Sequence, residues 1–186
     1  MFHVSLFGSF DRSCRNSNLT YLIPQKAQKL FCYLLIHRQR PHPREILINH
    51  IWINRSSAQS RKSLLQALWQ LQSALASYAD NPSTNNILLV DSEWIQVNPQ
   101  AAIWLDIATF EDAFRLVKDN HGKHLSDEVA KTLNTIVKLY KGALLEGWFD
   151  DWCIFERERL QSRYLIILGK LMAYCTARKK YETGLV

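Results

Sequence analysis

The fold of this 186-residue chain is decided by the stretch Gln59-Ser60-Arg61-Lys62-Ser63-Leu64-Leu65-Gln66-Ala67-Leu68-Trp69-Gln70-Leu71-Gln72-Ser73. At 100° per residue, the leucines at positions 64, 68, 71 and 75 fall within about 60° of one another, which predicts one amphipathic helix from Ser57 to about Ser77. The opposite face carries polar and aromatic side chains, namely Gln59, Lys62, Gln66, Trp69 and Ser73, with Gln70 beside them. The segment therefore predicts a helix with one buried stripe and one long outer face.

Two shorter helices are predicted before this one. Pro24 opens the first, which ends before Pro41 and Pro43 because neither proline can continue a helix. The second runs from Glu45 to Trp52. Upstream of both, residues 2–10, with a break at Gly8, and residues 19–23 are predicted to be short strands separated by a polar turn.

A β-hairpin is predicted after the amphipathic helix. Ile87-Leu88-Leu89-Val90 and Trp94-Ile95-Gln96-Val97 flank a polar turn, Asp91-Ser92-Glu93. Strands, three helices and a final hairpin in this order are typical of a winged helix-turn-helix. In that fold the third helix enters the DNA major groove and the hairpin, or wing, touches the flanking backbone.

The remainder of the chain predicts helices only. Asp106 is expected to cap the first of them and Ser126 the second, and a third runs from about Asp151 to Cys175. Residues 176–186 look like the start of a fourth helix, so we expect the sequence to continue beyond residue 186. Helices of this length and order suggest a TPR-like helical array. The predicted fold is thus an α+β winged helix over residues 1–98 followed by an all-α, TPR-like domain over residues 99–186.

Composition and charge narrow the class of protein. With 47% hydrophobic residues, 6 Gly and 5 Pro, the chain is neither disordered nor collagen-like. No apolar run approaches the roughly 20 residues of a membrane span. The four cysteines, Cys14, Cys32, Cys153 and Cys175, are far apart and form no CxxC pair. We therefore expect a cytoplasmic protein. Residues 1–100 hold 10 Lys and Arg against 5 Asp and Glu, whereas residues 101–186 hold 13 against 12. This excess favours an anionic partner for the first half.

The outer face of the third helix is the candidate site. The amide of Gln66 suits adenine N6 and N7, and Arg55, Arg61 and Lys62 are suited to phosphates. Arg44 lies where the N-terminus of the second helix can meet a phosphate, with Arg38 and Arg40 nearby. The full predicted DNA-contacting set is Arg44, Arg55, Gln59, Arg61, Lys62, Ser63, Gln66, Trp69, Gln70 and Ser73. The alternative is an ordinary solvated helix face.

The tryptophans have a structural interpretation. Trp69 could stack on a sugar or contact a thymine methyl group, but packing against the neighbouring helix or the wing is the favoured reading. The other five, Trp52, Trp94, Trp104, Trp148 and Trp152, are interpreted as packing residues.

Two clusters in the second half resemble chemical sites only superficially. His121 and His124 have an HxxH spacing without further ligands at a suitable distance in sequence, so a loop is expected rather than a metal site. The acidic residues Asp150, Asp151, Glu156 and Glu158 alternate with arginines at helical spacing, which favours capping and i,i+4 ion pairs. No nucleophile-base grouping and no glycine-rich phosphate loop occurs in the sequence. We therefore expect no catalytic activity, no metal and no cofactor.

A family resemblance agrees with this interpretation. Residues 1–100 resemble the DNA-binding domain of OmpR-type regulators, and the whole chain resembles the Streptomyces antibiotic regulatory protein (SARP) family, in which a bacterial transcriptional activator domain of TPR-like helices follows. The resemblance rests on blocks in family order, which are Leu6–Phe10, Lys26–Leu30, Arg44–Trp52, Ser63–Leu75, Leu105–Glu111, Leu139–Trp148, Asp151–Cys153 and Glu156–Leu160. It implies transcription regulation, double-stranded DNA as partner, a head-to-tail homodimer on direct repeats, and contacts between the helical domain and RNA polymerase.

The sequence departs from the family pattern at the DNA-binding surface. Gln70 and Gln72 stand where the family usually has arginines that grip phosphates, and the wing turn carries Asp91 and Glu93. Both changes remove favourable charge from a phosphate-facing surface. The alternative function is therefore a protein-interaction module, in which a degenerate winged helix no longer binds DNA. A hydrolase using the acidic patch is a third alternative, without a pocket signature.

Overall fold

The computed structural model describes residues 1–10, 23–52, 56–76 and 86–179. The chain divides into two compact units, Met1–Val4 with Cys14–Trp104 and Ser5–Ser13 with Leu105–Val186. We call them the first and second unit. They differ from the division predicted at residue 98 because the strand ending at Leu105 pairs with the first strand of the chain, and because residues after Val4 bond to the second unit.

The helices of the first unit follow the predicted hydrophobic pattern. They are α1 (Gln25–Ile36), α2 (Arg44–Ile51) and α3 (Ser57–Ala76). Pro24 precedes α1 with an extended backbone, as expected for a residue that begins a helix. Leu30, Phe31, Leu34 and Leu35 of α1 are fully buried and form the centre of the core. All three predicted helices are confirmed.

Short strands complete the first unit. β1 (Phe2–Val4) pairs with β5 (Ile103–Leu105), and a second sheet has the order β2 (His42–Pro43), β4 (Trp94–Val97), β3 (Leu88–Val90). The predicted hairpin is confirmed as β3 and β4, with Val90 opposite Ile95. β2 and β5 were not predicted, because two or three residues outside any longer alternating or apolar stretch give no strand pattern. β2 lies at the edge of its sheet, where Pro43 costs no interior ladder bond.

The predicted strand over residues 2–10 is wrong beyond Val4. Phe7 forms a single antiparallel bridge with Leu144, and Gly8 has a φ of 88° that favours glycine. Both residues belong to the second unit. The strand predicted at residues 19–23 and the loop at residues 80–86 lie almost wholly outside the described residues.

The second unit is helical. It contains α4 (Asp106–Val117), a 3-10 turn (Gly122–His124), α5 (Asp127–Val137) and α6 (Asp151–Ala177). Ser126 caps α5 as predicted, since its hydroxyl oxygen accepts from the Val129 amide at 3.3 Å. Gly122 lies against α6 so closely that a Cβ there would stand 2.5 Å from the Lys170 carbonyl oxygen. Of the helix predicted over residues 176–186, the described part continues α6 to Ala177.

Asp106 does not cap α4 by the predicted geometry. Its buried carboxylate accepts the backbone amides of Leu6, at 2.8 and 2.9 Å, and Phe7, at 3.0 Å, as well as that of Ile107 at 2.7 Å. Burial raises the pKa of Asp106 to about 6, although these hydrogen bonds and the charge of Lys141 act in the opposite direction. The carboxylate thus anchors the N-terminal segment and also satisfies one amide, that of Ile107, in the first turn of its own helix.

The loop before α6 completes this anchor. The Gly8 amide donates to the Ala143 carbonyl oxygen, and the amides of Leu145 and Glu146 donate back to Leu6 and Gly8, each at 2.9 Å. We call Ser5–Phe10 the N-terminal clasp. Its backbone groups are paired with two segments about 100 and 140 positions later in the chain, so it is an integral part of the second unit.

The tryptophans other than Trp69 are packing residues to different degrees. Trp52 and Trp152 are buried, which confirms the prediction for them. Trp94, Trp104 and Trp148 are half-buried; Trp104 packs on His3 and Trp148 on Phe10, with ring centroids 5.4 and 5.9 Å apart. Among the described residues, no helix has the length and apolar character needed to cross a bilayer.

Candidate nucleic-acid interface

The candidate interface is the outer face of α3. On the inner face Leu64, Leu68, Leu71 and Leu75 are buried, which ties the helix to the core. The residues predicted to face outward are exposed, and these are Gln59, Lys62, Gln66, Trp69 and Ser73. At 1.5 Å per residue, this face extends for about 21 Å. The amphipathic arrangement predicted for this helix is confirmed.

Trp69 does not pack as expected. Its side chain is 69% exposed, so the favoured prediction of packing against a neighbouring helix or the wing is wrong. Leu65, one turn earlier, is 55% exposed. The sequence did not predict this exposed apolar pair. Its i,i+4 spacing outside the leucine stripe could have indicated it, because residues four apart are neighbours on a helix surface.

The remaining predicted contact residues vary in accessibility. Ser63 and Gln70 are half-buried at the edge of the outer face. Arg55 lies outside the described residues. Gln66 and Lys62 are exposed, and neither side chain has a hydrogen bond or ion pair with another part of the described chain. Both remain accessible to a partner.

Arg61 is held by an acidic side chain that the sequence analysis overlooked. Its Nε and Nη2 donate to Oε1 of Glu45, at 3.1 and 2.8 Å. The two side chains are 65% and 60% exposed, so the pair is weak and can be exchanged for another anion. No local pattern pairs residues 16 positions apart on different helices, and only the packing of α2 against α3 brings them together.

Arg44 connects α2 to the hairpin turn. Its Nε donates to the Asp91 carbonyl oxygen and its backbone amide to that of Glu93, both at 2.9 Å. A cleft of about 400 Å³ lies between α2, α3 and this turn, lined by Arg44, Glu45, Ile48, Arg61, Leu64, Leu65, Ser92 and Glu93. Arg44 is half-buried here and its guanidinium is partly engaged, so it is less available to phosphate than predicted.

The N-terminus of α2 is also acidic. Glu45 lies in its first turn, where a negative charge is favoured by the helix dipole and where a phosphate would otherwise bind. Arg38 and Arg40 precede α2; Arg40 is exposed and Arg38 is half-buried. The site therefore contains both arginine side chains and the carboxylate of Glu45. The net charge that a partner meets depends on whether it displaces that carboxylate from Arg61.

A buried histidine supports the base of the hairpin. His42 of β2 pairs in register with Ile95, and its Nε2 lies 2.9 Å from the His37 carbonyl oxygen. Burial lowers the pKa of His42, with Arg40 and His50 acting in the same direction and the bond to His37 opposing them. The neutral imidazole is therefore the form that fits this position.

The two clusters in the second unit have structural surroundings. His121 precedes the 3-10 turn and His124 ends it, with ring centroids 6.3 Å apart. The described residues contain no group of three potential metal ligands. The predicted i,i+4 ion pairs are wrong. Instead Arg159 bonds Glu156 at i,i+3 and Glu111 of α4, and Arg157 donates to the carbonyls of Leu144, Leu145 and Trp148.

Comparison with known proteins gives a structural likeness. No protein-family model and no curated protein matches the sequence. The chain is similar to the structure of Mycobacterium tuberculosis EmbR in complex with low affinity phosphopeptide, with a TM-score of 0.58 and 14% sequence identity. The match covers 95% of this chain and 44% of the EmbR chain. At this identity it shows a shared fold, and this chain spans less than half of the EmbR length.

Proposed function

We propose that the chain is a sequence-specific DNA-binding transcription regulator of the bacterial cytoplasm. In this proposal residues 1–98 work as a winged helix, with α3 in the major groove and the β3–β4 hairpin as the wing on the flanking backbone. Residues 99–186 form a TPR-like activator domain that contacts RNA polymerase and supports a homodimer on direct repeats. No catalytic step is part of the proposal.

The observation that carries this proposal is the uncovered outer face of α3. A helix that packs its leucines tightly and leaves about 21 Å of amide, cationic and apolar side chains exposed has the dimensions and chemistry for a major groove. The SARP-like fold supported by the similarity to EmbR, and the sequence blocks that resemble the SARP family, are consistent with this role.

Salt dependence of binding tests the proposal. We expect the full chain to bind random duplex DNA with an affinity that falls steeply with salt, with a logarithmic slope of about −0.9 for each phosphate contacted. Lys62→Ala should weaken binding equally on all sequences and reduce the slope by about one unit. Lys138→Ala, an exposed lysine of the second unit, is the matched control and should leave the slope unchanged.

Base preference tests the role of Gln66. After selection of a preferred site, Gln66→Ala should relax the preference at one base pair and leave binding to random DNA nearly intact. Gln161→Ala, an exposed glutamine of α6, serves as control. Equal losses of affinity on selected and random DNA for Gln66→Ala would refute the reading role.

The acidic groups at the site favour a second candidate function. Glu45 engages Arg61, and Asp91 and Glu93 are exposed at the hairpin turn, so a protein surface is an alternative partner for the same face. Leu65 and Trp69 would then be the anchor of a protein interface. The absence of binding to any duplex even at low salt would favour this second candidate over DNA binding.

A further inference from the structure

The outer face of α3 is built from two adjacent rows of side chains. Residues four positions apart lie above one another on a helix, about 5 to 6 Å apart at Cβ. One row is Arg61, Leu65, Trp69 and Ser73, and the other is Lys62, Gln66 and Gln70. An apolar pair, Leu65 and Trp69, therefore stands directly beside an amide, Gln66.

Packing within the chain does not account for the apolar pair. Leu65 is 55% exposed and Trp69 is 69% exposed, and Leu65 is one of the residues that line the cleft beside α2. A single exposed leucine is unremarkable, but two large apolar neighbours on a face that is otherwise polar mark a contact surface. Burying either side chain against a partner would recover hydrophobic free energy.

The major-groove edge of an A·T base pair complements this pattern. Adenine presents N7 as acceptor and N6 as donor, which a glutamine amide can bond with two prongs. Thymine presents its C5 methyl group on the same edge, where it offers an apolar contact. We propose that α3 recognises A·T base pairs, with Gln66 bonding adenine and with Leu65 and Trp69 contacting thymine methyl groups; this inference rests on the proposed DNA-binding function and specifies its target.

The position of the guanidinium on this face agrees with the inference. The commonest specific contact to guanine is a two-pronged bond from arginine. Arg61 is the one arginine of α3, and it lies at the end of its row, one turn before Leu65, where its exposed pair with Glu45 can be exchanged for a phosphate. At the centre of the face, Gln66 is therefore suited to adenine, and Leu65 and Trp69 are suited to thymine methyl groups. Lys62, beside them, is suited to a phosphate.

Replacement of thymine by uracil tests the inference, because it removes the methyl group and keeps the base-pairing edge. A site is first selected from random duplexes with the full chain, and we expect A·T pairs at its centre. Each thymine is then replaced in turn. Loss of one buried methyl contact should raise Kd about threefold to fivefold at one or two positions.

Variants assign the effect to the apolar pair. In Trp69→Ala or Leu65→Ala, the thymine-to-uracil effect should disappear at the position that the removed side chain contacts. Phe155→Ala removes an aromatic side chain of similar exposure, 68%, from α6, and it should leave the effect intact. Circular dichroism checks that each variant keeps its helical content.

The possible results separate this inference from the proposed function. A selected site centred on G·C pairs, or a Kd insensitive to uracil at every thymine, overturns A·T recognition while DNA binding stands. Failure to bind any duplex at low salt overturns both. An effect of uracil that persists unchanged in both Trp69→Ala and Leu65→Ala also overturns the assignment to these side chains.

Discussion

Arginines serve different purposes in the two units. In the first unit, Arg61 pairs with Glu45 across two side chains that are both more than half exposed. In the second unit, Arg159 and Arg163 share Glu111, whose side chain is only 12% exposed, at 2.7 Å each. An exposed pair exchanges easily with an incoming anion, whereas a half-buried network is held by its surroundings. The comparison indicates that the charge of Arg61 is available to a partner, whereas the charges of Arg159 and Arg163 are engaged in stabilising the fold.

Another arginine of the second unit is held by backbone partners. Arg157 donates to three carbonyl oxygens of the loop before α6, each at 2.9 Å. Burial acts against the charge of Arg159, but its bonds to Glu111 and Glu156 outweigh that effect and raise its pKa. These side chains therefore stabilise the second unit, and their replacement should be detected as a change in stability rather than in binding.

The largest effect is expected at the N-terminal clasp. Asp106→Ala leaves the buried amides of Leu6 and Phe7 without an acceptor, which should lower the free energy of unfolding by about 4 kcal/mol in mild acid. Urea denaturation of the full chain measures it, with Asp119→Ala, an exposed aspartate of the same unit, as control. A loss below about 1 kcal/mol in mild acid would contradict the anchoring role.

The pH dependence of this loss follows from the pKa of Asp106, which burial raises from 3.8 to about 6. Between pH 3.8 and 6, the folded state therefore keeps a proton on Asp106 that the unfolded state has released. The stability that Asp106 contributes to the folded state is fully present below pH 3.8 and is lost as the pH rises through 6. The difference between wild type and Asp106→Ala should shrink by about 2 kcal/mol between pH 4.5 and pH 7. A difference that grows with pH would refute the raised pKa.

A smaller loss is expected at the ion network of the second unit. Glu111→Gln removes the charge shared by Arg159 and Arg163 and should cost about 2 kcal/mol, less than for a fully buried pair because both arginines are more than a quarter exposed. Asp112→Asn is a matched control, since its pair with Arg115 is exposed on both sides, and it should cost less than about 0.5 kcal/mol. Duplex affinity should be unchanged in both variants. Reduced affinity in Glu111→Gln alone would break the contrast between the units.

His42 provides a pH test of the first unit with the opposite sign. Because burial lowers its pKa below 6.5, the unfolded state binds the proton more readily, and this contribution to stability is lost as the pH falls through the folded-state pKa. Hydrogen exchange at the Ile95 amide should therefore accelerate in acid, and His42→Gln should flatten that dependence. Acceleration on raising the pH from 5 to 7, after correction for intrinsic exchange, would contradict it.

The sequence predicted what depends on neighbours in sequence and missed what depends on distant partners. The leucine period of α3 and the Ser126 cap need only adjacent positions, and both were confirmed. Asp106 has the residue type of a helix cap, but its partner Leu6 is 100 positions away. Likewise, the partner of Arg61 lies on another helix. Trp69 was assigned to packing from a general preference of its residue type, which cannot show that no neighbour covers it.

The smallest effect, and the most direct test of exchangeable charge, is expected at Glu45. Glu45→Gln frees Arg61 and removes a negative charge from the phosphate-facing surface, so the affinity for random duplex DNA should rise about threefold at low salt. The salt slope should steepen by up to about one phosphate, since Arg61 then contributes a contact that Glu45 had occupied.

Glu45→Gln should leave the free energy of unfolding almost unchanged because an exposed pair contributes little. Asp112→Asn again is the control, and it should alter neither affinity nor slope. If Glu45→Gln weakens DNA binding, Glu45 positions Arg61 for the contact instead of competing with phosphate. The guanidinium of Arg61 would then be held in place by its carboxylate partner in the same way as those of Arg159 and Arg163, and the contrast between the units would not hold.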